Sequence, residues 1–218
     1  MPPWSNENFV GSRSLTFVLG TDTGVGKTRL MALLAGVAPR PETVCLVKAV
    51  QTGVPGGGET GTSRDIDSYR GRGPVSRVRT WEGYSFSLPI DPMTAAASEG
   101  SVVDPTFLAD KILEFYRNDT HVLVEGSGGV LSPFFQDGSG ILTLMKALDH
   151  PVRVLLAAHP HLGALSQVLS ATRILVEEDR TPSAIVLFPR PGETDEATKR
   201  NPGTLRALLP NIPVILLD

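Results

Sequence analysis

Nine residues, Gly20-Thr21-Asp22-Thr23-Gly24-Val25-Gly26-Lys27-Thr28, restrict the possible fold more than any other stretch of the chain. They follow the apolar run Leu15 to Leu19. They precede Thr28 to Val37, where Leu30, Met31, Leu33, Leu34 and Val37 recur at helical spacing until Pro39 and Pro41 stop the pattern. A buried strand, a glycine-rich turn and a helix in that order make an anion cradle. Gly24 and Gly26 let backbone N–H groups turn inward, the helix N-terminus adds partial positive charge, Lys27 supplies a mobile cation and Thr28 offers a hydroxyl to Mg²⁺. The spacing departs from G-x-x-x-x-G-K-[ST] at one place, because the first glycine is Gly20 where the pattern wants position 21. A turn that only caps a helix is the bland alternative, and a Gly-Lys-Thr ending directly after a strand weighs against it. The expected guest is ATP or GTP.

The chain's 218 residues suit one large α/β domain, with 1–14 as a loose leader and 15–218 as a single nucleotide-binding catalytic domain. A net charge of −3 without a Lys/Arg block argues against nucleic-acid and anionic-membrane partners, so small-molecule substrates are expected. The single cysteine, Cys45, lies within Val44-Cys45-Leu46-Val47 and reads as a small buried hydrophobe of a reducing compartment. No signal-like segment and no membrane-length apolar run is present, and the expected location is the cytoplasm.

A second strand, Thr43 to Val47, leads into Lys48-Ala49-Val50-Gln51-Thr52-Gly53, which places Lys48 at a strand's C-terminal end, where ligands of parallel sheets bind. From the residues alone a substrate-facing and a solvated Lys48 are equally supported. Asp65 and Asp67 open a short helical segment as magnesium ligands or as N-terminal helix charges. Tyr84 to Pro92 reads as proline-broken, Met93 to Ser98 as a helix start, and Asp104-Pro105 as a cap with proline at the first helical position. His121-Val122-Leu123-Val124-Glu125 is a strand ending in an acid, followed by Gly126-Ser127-Gly128-Gly129. A carboxylate there, beside a phosphate loop, suits a direct or water-mediated Mg²⁺ holder, while capping of the next turn is the structural alternative. Beyond it, strands at 151–158, 183–188 and 212–217 alternate with helices at 163–178 and 195–208. The pattern predicts a three-layer α/β/α fold with a mostly parallel central sheet. The four histidines have no metal-ligand spacing, and no Ser-His-Asp order surrounds a nucleophile.

The loop at 20–28, Lys48 to Gly53 and Val124-Glu125-Gly126-Ser127-Gly128-Gly129-Val130 together resemble the dethiobiotin synthetase family of P-loop NTPases, over nearly the whole chain and in the same order. The Gly-Thr-Asp-Thr opening belongs to that resemblance and accounts for the one-residue departure. The resemblance implies ATP-dependent carboxylation of 7,8-diaminononanoate with CO₂, closing a cyclic urea through a carbamate and a carbamic-phosphoric anhydride, with Mg²⁺ required and a homodimer as the assembly. It makes Lys48 and Lys27 catalytic. It assigns Thr23, Gly24, Val25, Gly26, Lys27, Thr28, Arg29, Asp65, Glu125, Gly126, Ser127 and Gly128 to the nucleotide. Thr21, Thr52, Gly128, Gly129 and Val130 would border diamine and carbamate, and Thr28, Asp65 and Glu125 would hold the metal.

The chain departs from that family in places. Gly163-Ala164-Leu165-Ser166-Gln167 stands where Gly-Thr-Ile-Asn-His is frequent, and His161 replaces a basic residue two positions before that glycine. Phe188-Pro189 stands where an Asn-Asp pair typically reads adenine, and weak nucleobase discrimination is the resulting expectation. Three other readings compete: an amide-forming ligase of the same superfamily such as a cobyrinate-type synthase, a partitioning or regulatory ATPase, and a degenerate paralogue that binds nucleotide without turnover. The first normally carries a glutamine-hydrolysing domain and the second an extra lysine ahead of Lys27, and this sequence has neither.

Overall fold

The computed structural model describes residues 13–38, 43–54, 69, 77–192 and 194–217. Among these, seven strands form one sheet: β1 Ser14–Gly20, β2 Val44–Thr52, β3 Val78–Phe86, β4 His121–Glu125, β5 Arg153–Ala158, β6 Ala184–Leu187 and β7 Val214–Leu216. Their order is β3-β2-β4-β1-β5-β6-β7, and all neighbouring pairs run parallel. The helices described are α1 Lys27–Val37, α2 Pro92–Ser98, α3 Pro105–Asn118, α4 Ile141–Ala147, α5 Ala164–Glu177 and α6 Glu196–Leu208.

The central strands read as unbroken apolar runs because both of their faces are covered. On one face, Val18, Leu46, Leu123, Leu155 and Val186 pack with Leu30, Met31 and Leu34 of α1. On the other, Phe17, Val47, Val124, Leu156 and Ile185 pack with Leu108 and Ile112 of α3, Leu144 of α4, Val168 of α5 and Leu205 of α6. Burial of each such side chain stabilises the fold by roughly 1.5–3 kcal/mol. β1 lies between β4 and β5, so the chain switches sides of the sheet at β1. A ligand crevice is expected outside the carboxyl ends at such a point.

Several elements differ from the sequence reading. β2 continues to Thr52, so Lys48 lies within the strand and not at its end. β4 stops at Glu125, the residue in register with Lys48, so Lys48 still reaches the carboxyl edge of the neighbouring strand. β3, at the sheet edge, is an element the sequence reading did not foresee, and it takes in Tyr84 to Phe86, the first three residues of the stretch read as proline-broken. Its mixed sequence, with Arg79 and Glu82 among aromatics, lacks the apolar run of a central strand. Gly83 lies close against β2 and α3; a Cβ there would stand 2.5 Å from the Ala49 carbonyl oxygen and 2.7 Å from Leu108. The short helix α4 carried no cap or long periodicity to reveal it. Asp65, Asp67 and the segment predicted around them lie outside the described residues.

Candidate active site

β1 ends at Gly20 and α1 begins at Lys27, with the glycine turn between them at the carboxyl edge of the sheet. Gly26 caps α1 at φ 100°, in the left-handed region that glycine occupies without strain. A Cβ on Gly26 would also meet the Phe188 ring at 2.5 Å. Gly20 is required for a different reason: a Cβ there would lie 2.8 Å from Val25 and 2.9 Å from the Lys27 Nζ. The lysine folds back over the start of the loop, donating to the Asp22 carbonyl at 2.7 Å and to the Gly128 carbonyl at 2.9 Å. Lys27 thus ties the phosphate loop to the glycine loop after β4.

Glu125 stands at the centre of the site and is 1% exposed. Its Oε1 accepts from the Lys48 Nζ at 2.6 Å and from the Thr28 hydroxyl at 3.0 Å, while Oε2 accepts from the Tyr69 hydroxyl. Lys48, 4% exposed, is anchored by an ion pair of opposite buried charges, the form in which buried charge is tolerated. Two lysines and one carboxylate leave a net positive charge beside inward-facing N–H groups, which suits a polyanion.

A cavity of about 420 Å³ opens here, lined by Thr23, Gly24, Gly26, Lys27, Thr28, Lys48, Gln51, Thr52, Glu125 and Ser127. Sequence residues from three separate stretches therefore share one chamber. Thr52 is at its wall, and the Ser127 hydroxyl donates to the Val50 carbonyl, joining the β4 loop to β2. Thr21 and Gly129 pack backbone to backbone: a Cβ on Gly129 would lie 3.0 Å from the Thr21 carbonyl oxygen. Val25 is buried beneath the turn and Val130 within the core, Gly126 donates to the Val18 carbonyl at 3.1 Å, and Arg29 is held 5.0 Å over the Phe188 ring. Asp65, assigned to nucleotide and metal, lies outside the described residues.

Sequence reasoning missed two residues. Gln51 lines the cavity, its Nε2 donates to the Thr52 carbonyl at 2.9 Å, and its buried Oε1 has no hydrogen-bond partner among the described residues. Its position between Lys48 and Thr52 was a usable signal. Tyr69 is 1% exposed and touches the central carboxylate, with no local motif to announce it.

The donor set fits Mg²⁺, which takes one or two carboxylates, a hydroxyl and phosphate oxygens in preference to a full protein cage. Among the described residues, no group of three His, Cys, Asp or Glu could hold an ion by itself. Thr28 donates its proton to Glu125, which directs its lone pairs away from that carboxylate and leaves them for a cation.

A family model described as an AAA domain matches residues 15–215. An ATP-dependent dethiobiotin synthetase BioD of Frankia casuarinae is 36% identical over 186 residues, covering 84% of this chain and 75% of the relative. One from Saccharopolyspora erythraea is 34% identical over 189 residues, covering 86% and 80%. Among solved structures, a ParA family ATPase from Chlorobium tepidum TLS superposes with a TM-score of 0.56 at 14% identity, covering 94% of this chain and 85% of the other, which supports the fold alone. The phosphate loop, its acid partner at the end of β4 and these identities agree, and the chain belongs to the AAA domain family of P-loop proteins and, within it, to the ATP-dependent dethiobiotin synthetases.

Proposed function

We propose that the protein catalyses the MgATP-dependent carboxylation and ring closure of 7,8-diaminononanoate with CO₂, as one catalytic unit spanning 15–218. The observation that carries this reading is the pairing of Lys48 with Glu125 at 2.6 Å in the same chamber as Lys27 and Thr28, with Thr52 and Gln51 beyond them. A nucleotide hydrolase needs only the phosphate loop, its cation and a water-orienting group. A second buried lysine facing the transferred phosphate suits a reaction in which an anionic acceptor must approach an anionic phosphate.

One amine of the diamine attacks CO₂ and loses a proton, giving a carbamate. Lys48 neutralises its oxygens and holds one of them in line with the γ-phosphorus. That oxygen displaces ADP, and Lys27 follows the charge moving onto the β–γ region. The second amine then attacks the carbamoyl carbon, its C–O bond to phosphate breaks, the proton released from that nitrogen passes to the departing phosphate, and the five-membered urea closes. The loops at 20–24 and 126–130 exclude water from the mixed anhydride, with Thr21, Gly128, Gly129 and Val130 bordering the diamine. Thr28 and Glu125, with Asp65, would hold Mg²⁺, which when bound shields phosphate charge. Nucleotide contacts would come from Thr23 to Arg29 and Gly126 to Gly128.

A cytoplasmic homodimer is part of the proposal. Nucleic acid and membrane are not expected as partners, and among the described residues no helix is long and apolar enough to cross a membrane.

The test is direct. Protein, MgATP, bicarbonate and diaminononanoate are incubated and the cyclic urea is sought by mass, with Lys48→Met as the control that should lower product formation by about 10³ or more through lost charge stabilisation. ATP hydrolysis without the cyclic product overturns the proposal.

A further inference from the structure

We infer that Tyr69 is a positioning residue of this site, acting through Glu125 on Thr28 and Lys48. The inference rests on the functional reading above. A buried tyrosine hydroxyl normally finds some partner, so a hydrogen bond alone would describe an ordinary core residue. Here the partner is the carboxylate around which the site is assembled. An ionised carboxylate offers about four acceptor positions. Glu125 gives those on Oε1 to Lys48 and Thr28, and Tyr69 occupies Oε2.

That division has a mechanical consequence. Two donors on one oxygen fix its position but leave the carboxylate able to rotate about its terminal bond and exchange oxygens. A third donor on the other oxygen, from a ring that is 1% exposed and locked in the α1-side core, removes that freedom. With Oε1 held, the Thr28 hydroxyl has one favourable direction for its proton, and its lone pairs keep facing the phosphate side. Lys48 is kept at the level of the loop. Outer partners of this kind set ligand orientation, and their removal typically lowers metal affinity or activity by about 10–100-fold.

Tyr69→Phe deletes the hydroxyl and keeps the ring, so the packing survives. Binding of ADP, measured by calorimetry without and with a series of Mg²⁺ concentrations, separates the two roles. The expected result is Mg²⁺-free ADP affinity within about twofold of the parent, half-saturating Mg²⁺ raised roughly tenfold and kcat reduced to a similar extent, at nearly unchanged KM for the diamine. Glu125→Gln should raise the Mg²⁺ requirement at least as much, and adding Tyr69→Phe to it should change nothing further, because the hydroxyl acts through that carboxylate. A folded Tyr69→Phe protein with unaltered Mg²⁺ dependence and kcat, or full additivity with Glu125→Gln, overturns the role of Tyr69 alone. Failure of the unaltered protein to bind ADP at all overturns the functional reading with it.

Discussion

Phe188, directly after β6, shows how one residue can set the limits of a site. Its ring is 2% exposed, packed against Gly26 and covered by the Arg29 guanidinium at 5.0 Å. Its backbone is equally committed: the N–H donates to the Ala158 carbonyl at 2.9 Å, and the carbonyl accepts from the His159 Nδ1 at 2.5 Å. Pro189 has no N–H. This pair therefore offers a nucleobase no side-chain donor or acceptor, and the Phe188 N–H is already committed to the Ala158 carbonyl. Discrimination of 10⁴ or more arises where a site's own polar groups would be left unpaired by the wrong ligand. The expected outcome is that ATP, GTP and CTP support turnover with kcat/KM values within about tenfold of one another. Initial rates with the three nucleotides check this, and a strong ATP preference would contradict it.

At the scale of elements, the caps are as local as the sequence suggests. The Asp104 carboxylate accepts from the N–H groups of Thr106 at 2.8 Å and Phe107 at 3.3 Å, with Pro105 following it, and Asp91 and Asp195 cap α2 and α6 in the same way. Asp104→Ala should lower stability by about 1 kcal/mol without altering turnover, since α3 packs on the face opposite α1. Urea denaturation followed by circular dichroism measures that loss. β2 makes the opposite point. Its apolar run ends at Val47, yet the strand continues to Thr52, because β3 pairs with it through Thr52↔Phe86 while β4 stops at Glu125. The extension carries Gln51 and Thr52 past the end of β4, where both line the cavity.

Across the whole molecule, Cys45 reports on the integrity of the sheet. It is 1% exposed within β2, and its thiol is pushed up to about 12, first by burial and then by the Asp119 charge, with Arg79 opposing. A raised folded-state pKa means native stability from this group is fully present below the ordinary value of 9.0 and declines as pH rises from there towards about 12. At pH 8 the thiol stays protonated and shielded, so a disulfide reagent such as DTNB should react negligibly with native protein and with one equivalent after denaturation. Rapid labelling of the native form would mean that β2 is not held as described. Much of this molecule is legible in its sequence. The strand–turn–helix unit, the alternation that makes a parallel sheet, the Asp104 cap and the acid ending β4 follow from short-range chemistry: periodicity, glycine conformation and hydrogen bonds within a few residues. The edge strand β3, the length of β2 and the contact of Tyr69 with Glu125 do not, since each depends on which strands become neighbours. By itself the sequence determined that a phosphate cradle exists and that Lys48 and Glu125 are candidates to serve it. Only the tertiary structure brought Thr28, Lys48 and Tyr69 onto one carboxylate, because residues up to 97 positions apart meet solely through the parallel register and the helices packed across it.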